Sequence, residues 1–108
     1  MLAAIIVIPA LGNMVAYAIV DVDVHDIADY LIYQKKVAPL LLAVGAHYLA
    51  RGGEFRVYEG DYEPGRLIVV QFPSLEAMDE FYASETYQAL KPQREACSSS
   101  RIIAVQGL

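Results

Sequence analysis

The chain has 108 residues, of which 56% are hydrophobic and 19% are charged, so it has the length of one domain and is too apolar to be disordered. Its formal net charge is −5, and only eight residues are Lys or Arg. Binding to nucleic acid or to an anionic membrane surface requires a basic patch, so the composition argues against both partners. The single cysteine excludes an internal disulfide framework and a paired-cysteine metal or redox site.

The first twenty residues carry no charged side chain, which would suit a membrane span or a secretory signal. Pro9 and the turn-forming pair Gly12-Asn13 oppose a span because both interrupt a helix. A signal is opposed because no Lys or Arg precedes the apolar stretch, and because the cleavage-like Ala16-Tyr17-Ala18 lies inside a predicted strand. We therefore expect residues 1–13 to be an apolar extension, residues 14–108 to form one domain, and the protein to be cytoplasmic.

The first half of the chain predicts a strand, a helix and two more strands. Asp26 is suited to be the N-cap of the helix, and Gly45 to be its C-terminal stop. Pro39 lies between them and predicts a kink or a restart of the helix. The three strands are indicated by their Val, Ile and aromatic content or by alternation of apolar and polar residues. They are predicted over residues 15–24, 46–50 and 55–59.

The second half predicts a strand, two helices and a final strand. Residues 66–72 form an apolar strand, after which Ser74 caps a helix. A second short helix is predicted from about residue 85 to residue 97, with an interruption near Pro92. The last strand is predicted over residues 101–106.

This order of elements is that of the α+β, ferredoxin-like β-α-β-β-α-β arrangement, with one additional hairpin-like strand in the middle. The helices of such a sandwich cover only one face of the sheet. The first and the last two predicted strands are apolar on both faces, so the second face requires another cover. A second copy of the same sheet is the economical cover, because closed symmetric dimers are the commonest oligomers. The sequence therefore predicts a homodimer.

Six short motifs occur in a specific order and spacing along the chain. They are Tyr48-Leu-Ala-Arg-Gly-Gly53, Glu59-Gly60, Phe72-Pro-Ser74, Tyr82-x-Ser84, Tyr87-Gln88 and Val105-Gln-Gly107. Together they resemble the domain-of-unknown-function 1330 family, part of the dimeric α+β barrel superfamily, over about residues 14–107. The resemblance implies the fold and a dimer but no established reaction. Relatives in the superfamily include cofactor-free monooxygenases, lactone isomerases and haem enzymes, an analogy at the level of fold.

The chain departs from the usual pattern of that family at several positions. Ala46 stands where the family usually has Gly, and Tyr62 and Phe81 stand where it usually has Trp. Residues 84–87 read Ser-Glu-Thr-Tyr where the family often has Ser-Pro-Glu-Tyr. These changes preserve the fold, but they weaken any transfer of family features to the end of the second helical region.

Two neighbouring stretches carry the candidate polar chemistry. His47 is the candidate catalytic acid or base because the reference pKa of imidazole is about 6.5. The alternative, which the sequence favours, is a solvent-facing residue of its strand. Arg51 can bind a carboxylate through two hydrogen bonds, and Gly52 and Gly53 allow a ligand to approach the backbone. The alternative is a tight turn or bulge in which Arg51 pairs with a nearby acid.

Eight tyrosines are an unusually high number for a chain of this length. Tyr17, Tyr48 and Tyr82 are predicted to line a ligand cleft between the sheet and the helices, each with one hydroxyl to orient a small apolar or acidic molecule. Tyrosines at core edges and in a dimer interface are the alternative. No cluster of His and acidic residues has the spacing of a metal site, and no cofactor is predicted.

Two functions of different classes follow from these observations. The first is a small-molecule enzyme, such as a cofactor-free oxygenase or isomerase, with His47 and Arg51 in the cleft. The second is a non-catalytic ligand-binding or assembly protein that uses the same cleft. A deep cleft containing a polar group of perturbed pKa favours the first, and a sealed core with solvated polar residues favours the second.

Overall fold

Four antiparallel strands and three helices make up the computed structural model, which describes residues 14–108. The apolar extension predicted for residues 1–13 lies outside the described residues. No helix in the described part of the chain is both long and apolar enough to cross a bilayer. The elements are β1 (Ala16–Val24), α1 (Ile27–Ala43), β2 (His47–Arg51), β3 (Arg66–Phe72), α2 (Leu75–Ala83), α3 (Glu85–Cys97) and β4 (Ser98–Gln106).

The sheet has the strand order β2-β3-β1-β4, and every neighbouring pair is antiparallel. β1 lies at the centre, where Ala18 is opposite Val70 of β3 on one side and Ala104 of β4 on the other. β1 and β2 are therefore parallel and separated by β3, as the split β-α-β arrangement requires. The predicted α+β, ferredoxin-like fold is confirmed.

Helix α1 begins and ends where its capping residues predict, and it passes through its proline. The Asp26 carboxylate accepts a hydrogen bond from the Asp29 amide at 3.2 Å, and Gly45 adopts a φ of +78° directly after the helix. The predicted restart at Pro39 is wrong, because α1 is continuous to Ala43. Both Pro39 and Lys35 are exposed, so water can bond the carbonyl that the missing proline N–H leaves free.

Serine caps begin both of the later helices. The Ser74 hydroxyl accepts a hydrogen bond from the Ala77 amide at 3.0 Å, and the Ser84 hydroxyl accepts one from the Tyr87 amide at 3.2 Å. The expected interruption near Pro92 is wrong, since α3 runs without a break through this exposed residue. The helix thereby keeps Tyr87 and the residues two turns later on one face.

The additional strand predicted over residues 55–59 is wrong. This segment belongs to the long loop between β2 and β3 and pairs with no strand among the described residues. Phe55, Val57 and Tyr58 are 40%, 45% and 91% exposed. The alternating pattern indicates an extended backbone, but a strand also needs a hydrogen-bonded neighbour, and none of the described strands pairs with this loop.

The end of the β2–β3 loop is fastened to the sheet by one carboxylate. Asp21 of β1 accepts a hydrogen bond from the Gly65 amide at 2.9 Å and another from the Tyr62 hydroxyl. The Arg101 guanidinium lies 5.2 Å from the centre of the Tyr62 ring. Asp21 therefore has a structural role at the sheet.

A cluster of aromatic rings fills one end of the core between the sheet and the helices. The Phe72 ring, with its residue 0% exposed, lies 5.6 Å from the Phe81 ring, centre to centre. Tyr87 lies 5.1 Å from Phe81 and 5.0 Å from Tyr82, the latter in an edge-on arrangement. These contacts join β3, α2 and α3 into one packed layer.

The sheet face opposite the helices is apolar, and no element within residues 14–108 covers it. Ile19 of β1 lies between Val69 of β3 and Ile103 of β4, and the latter is 63% exposed. Tyr17 and Val105 form the next cross-strand pair on this face. These residues, Tyr17, Ile19, Val69, Ile103 and Val105, are called the open face below. It is the second apolar sheet surface that the sequence analysis describes.

Candidate functional site

A cavity of about 50 Å³ lies between the helix-facing side of the sheet and the helices. An ordered water needs roughly 10–15 Å³, so the cavity has room for a few waters or for a group of a few heavy atoms. Aliphatic side chains from β1, β3 and β4 form one wall, including Val22, Val70 and Ile102. The opposite wall is aromatic and polar. Five tyrosines line the cavity, of which Tyr48 belongs to β2 and the others to the helices: Tyr30, Tyr33, Tyr82 and Tyr87.

Two helices position the polar part of this lining through their regular spacing. Tyr30, Tyr33 and Gln34 lie three and four residues apart on α1, so they share the helix face that contacts the sheet. Tyr87 and Arg94 lie seven residues apart on α3, two turns of one face, and both are buried. The packing of α1 against α3 brings the two sets to one cavity.

Four of the cavity phenols are proton donors at neutral pH. Burial raises the pKa of Tyr33 and Tyr82 far above the ordinary value, although the Arg94 charge acts in the opposite direction on both. Burial also raises the pKa of Tyr30 and Tyr48. A phenol that stays protonated can donate a hydrogen bond to a ligand but cannot serve as a general base.

Arg94 is the only permanent charge that lines the cavity. The residue is 9% exposed, and its Nη1 donates a hydrogen bond to the Ser100 hydroxyl. Its Nε has no hydrogen-bond partner, and neither does Nε2 of Gln34, which lines the same cavity. Within residues 14–108 the single ion pair joins Arg56 to Glu54, so no described carboxylate forms an ion pair with Arg94, although the charge of the neighbouring Glu95 acts on it.

The structure brings some of the predicted cleft residues together and separates others. Tyr48 and Tyr82 both line the cavity, as expected for a cleft between sheet and helices. Tyr17 lies on the open face, where its ring packs close to Gly107. His47 is exposed at the edge strand and does not line the cavity. His47 and Tyr48 are adjacent in a strand, so they project to opposite faces of the sheet.

Arg51, Gly52 and Gly53 lie at the exit of β2, next to the cavity but outside its lining. The Arg51 guanidinium is 4.6 Å from the centre of the Tyr48 ring, and its residue is exposed. Gly52 has a φ of +70° and donates its amide hydrogen to the Leu67 carbonyl at 2.8 Å. A side chain at Gly52 would also collide with Arg66, so this glycine is required by the turn itself. Gly53 has open space around it.

The sequence analysis missed the polar end of the cavity, formed by Tyr33, Gln34, Tyr87 and Arg94. A weak indication existed in the spacing, because Tyr87 and Arg94 fall on one face of a predicted helix. An arginine near a helix end more often faces water, and its burial here depends on α1 packing against α3. That contact is a tertiary feature.

Metal binding has no support in the described part of the chain, where no three His, Cys, Asp or Glu side chains come together. Cys97 is buried, and its thiol donates a weak hydrogen bond to the Arg94 carbonyl at 3.5 Å. The cavity chemistry is therefore that of one guanidinium, one amide and several phenols.

The strand order and the enclosed site between sheet and helices define a small ferredoxin-like α+β protein. The chain belongs to the family described as Domain of unknown function (DUF1330), whose model matches residues 15–108. The resemblance stated from the sequence motifs is confirmed. No curated protein matches the sequence.

Several solved structures share the fold at low sequence identity. A protein of unknown function from Rhodopseudomonas palustris is 17% identical over 89% of this chain and 84% of that chain, with a TM-score of 0.74. SnoaB, a cofactor-independent oxygenase from Streptomyces nogalater, is 12% identical over 88% and 94%, with a TM-score of 0.62. A dimeric protein of unknown function and ferredoxin-like fold from Bacteroides fragilis is 11% identical over 85% and 95%, with a TM-score of 0.51. At these identities the likeness shows the fold alone.

Proposed function

We propose that this protein binds a small organic molecule in the cavity between its sheet and its helices. The observation that carries the proposal is the composition of the cavity wall, which combines aliphatic and aromatic side chains with a few hydrogen-bond donors at one end. This composition is typical of small-molecule sites, in which apolar surface provides affinity and a few polar groups provide orientation.

The volume of the cavity limits the ligand that fits without rearrangement. About 50 Å³ accommodates only a group of a few heavy atoms. A larger ligand has to displace aromatic side chains of the cavity wall. Among these aromatic residues, Tyr48 and Tyr82 are half-buried. The proposed ligand is therefore a small molecule, or a larger one whose polar head alone enters the cavity.

An enzyme is the second candidate function. A guanidinium held in a dry, apolar pocket would stabilise an enolate or phenolate on a bound molecule, which is a form of electrostatic catalysis. The fold relative SnoaB is a cofactor-independent oxygenase. Burial raises the pKa of Tyr33 and Tyr82 and holds these phenols protonated, so a substrate would have to arrive as an anion or lose its proton elsewhere. Oxygen consumption on addition of a cavity-binding enol would favour this candidate over simple binding.

The binding proposal is tested by filling the cavity. Val37 lies on α1 in the cavity wall, and Val37→Phe places a ring in the free space at a stability loss of about 1–3 kcal/mol. Val57→Phe, in the exposed loop between β2 and β3, is the matched control. Native mass spectrometry and a thermal-shift screen of small organic fragments provide the two readouts.

We expect the wild type and Val57→Phe to bind the same fragments, and Val37→Phe to lose them. Retention of every fragment by a folded Val37→Phe variant would place the ligand outside the cavity and contradict the proposal. Val37→Ala provides a second check because it enlarges the same space. It should accept fragments one or two carbon atoms larger than the wild type does.

We also propose that two copies associate through the open face. Ile19, Val69 and Ile103 form a continuous apolar row across the three strands β3, β1 and β4. Patches of this kind on small proteins commonly mark interaction sites. The Bacteroides fragilis relative is described as dimeric, which supports a second copy as the occupant.

A cytoplasmic location stays a prediction.

A further inference from the structure

We propose that the ligand of the cavity is a monocarboxylate whose carboxylate group is bound by Arg94. This inference rests on the proposed binding function and adds the chemical class of the ligand. Three independent observations support it: the unused donors at one end of the cavity, the charge balance of its lining, and a surface groove that reaches the same arginine.

The polar end of the cavity has hydrogen-bond donors without acceptors. Arg94 is 9% exposed, its Nη1 is bonded to Ser100, and its Nε has no partner. Nε2 of Gln34 is also buried without a partner and lines the same space. Buried donors of native proteins are nearly always bonded, so two unpaired ones on residues that line one cavity indicate a missing acceptor. A carboxylate offers about four acceptor positions and suits a guanidinium geometrically.

The charge of the lining indicates a single negative charge on that acceptor. Arg94 stays cationic, because an arginine guanidinium keeps its proton in proteins. No Asp, Glu or His among residues 14–108 lines the cavity, and burial raises the pKa of the phenols of Tyr30, Tyr33, Tyr48 and Tyr82, so these stay neutral. One buried positive charge is balanced by one negative charge. A phosphate dianion would leave a second charge uncompensated in an apolar site.

A groove on the protein surface leads to the same arginine. Arg94 and Ile102 line both the inner cavity and this groove, so they form the wall between the two spaces. The remaining groove residues are mostly short hydroxyl side chains with one residue of each charge. They are Lys91, Glu95, Ser98, Ser99 and Ser100. Release of the Arg94 side chain from the Ser100 hydroxyl would open a path for a small anion.

The competing explanation is that Arg94 is only a structural link between α3 and β4 and that water fills the cavity. The two explanations differ in whether the protein binds a carboxylate more tightly than the matching amide. A structural arginine has no preference between a carboxylate and an amide of the same shape. A carboxylate anchor distinguishes them strongly, because only the charged ligand pairs with the guanidinium.

The test compares carboxylates with amides on the intact chain. The probes are sodium acetate, isobutyrate and benzoate, and the matching amides at the same ionic strength, with affinity measured by calorimetry. We expect at least one carboxylate to bind about tenfold or more tightly than its amide. Arg94→Gln should abolish that preference. Arg101→Gln, an exposed arginine on the opposite sheet face, is the matched control and should change affinity by less than about twofold.

A second measurement covers the case in which Arg94→Gln does not fold. The Nε–H resonance of Arg94 in the wild type should shift on addition of the tightest carboxylate, and an unchanged resonance would overturn the inference. Equal affinity for carboxylates and amides would also overturn it, while leaving the cavity-binding proposal intact. Binding of neither class, together with no hit in the fragment screen, would mean that both proposals fail.

Discussion

Raising the pH from neutral to about 11 should destabilise the protein through two phenols, that of the buried Tyr33 and that of the half-buried Tyr82. Burial raises the pKa of both, so the folded state keeps their protons at a pH where an exposed phenol has lost its own. In the unfolded chain their pKa returns to about 10. A group whose pKa is higher in the folded state than in the unfolded state stabilises the folded state fully at any pH below its unfolded pKa. This stabilisation is lost as the pH rises above the unfolded pKa. The loss therefore begins near pH 10, on the alkaline side.

The magnitude follows from the ionisation of the unfolded chain. At about pH 11 each exposed phenol with a pKa near 10 is about nine-tenths ionised, which stabilises the unfolded state by about 1.4 kcal/mol per phenol. Tyr33 and Tyr82 together lower the free energy of unfolding by about 3 kcal/mol. Domains of this size have a total stability of about 5–15 kcal/mol, so the effect is large enough to measure.

Urea unfolding, followed by far-ultraviolet circular dichroism across this pH range, measures the loss directly. Tyr33→Phe should recover about 1.4 kcal/mol of it, since the variant has one fewer buried phenol to ionise. Tyr58→Phe is the control, because Tyr58 is 91% exposed and its side chain is not part of the packed core. The reasoning is refuted if Tyr33→Phe and the wild type lose equal stability. It is also refuted if all eight tyrosines titrate near pH 10 in a protein that stays folded.

Two further predictions concern the interface and the second arginine. Ile103→Asp on the open face should weaken self-association by about tenfold or more in sedimentation equilibrium, whereas Leu42→Asp, an equally exposed apolar residue on α1, should not. Equal behaviour of the two variants would contradict association through the sheet. Arg51→Lys should change carboxylate affinity by less than about twofold, because Arg51 stacks on Tyr48 outside the cavity lining. A loss of about tenfold or more in a folded variant would make Arg51 the anchor, as the sequence alone suggested.

The strands and helices were largely predictable because their signals are local. Asp26 and Ser74 act as the predicted caps, since capping depends on a side chain and an amide three residues later. The two helix prolines were over-interpreted. Pro39 and Pro92 remove one hydrogen bond each on an exposed face, where water compensates, so neither ends its helix. The presence of a proline in a segment thus says less about whether the helix ends there than the helix face on which the proline lies.

The additional strand shows a different limit of local reasoning. Residues 55–59 have the alternating pattern of a half-buried strand, and the pattern correctly indicates residues that avoid a helix. Strand pairing, however, depends on whether another edge is within reach. β2 pairs with β3 on one side only, and the loop that follows it does not return to β2. Sequence periodicity contains no information about how far a segment lies from a strand edge with which it could pair.

The candidate site was only half predictable, for a reason that lies in strand geometry. Tyr48 was predicted in the cleft and lies there, whereas the neighbouring His47 does not, because adjacent strand residues face opposite ways. Tyr17 likewise lies on the open face. Choosing the correct set requires knowing which strand face the helices cover, and strands that are apolar on both faces do not reveal it.

Arg94 is the residue for which stability and function give opposite expectations. A buried guanidinium without a carboxylate partner carries an effective desolvation penalty of several kcal/mol, while an apolar residue of similar length in its place is often neutral or stabilising. Hydrogen bonding to Ser100 offsets part of that penalty and leaves Nε unpaired. Stability alone therefore gives no reason for an arginine at this position. Local rules are most often broken in this way at functional sites, and a carboxylate ligand would supply both the missing charge and the missing acceptor.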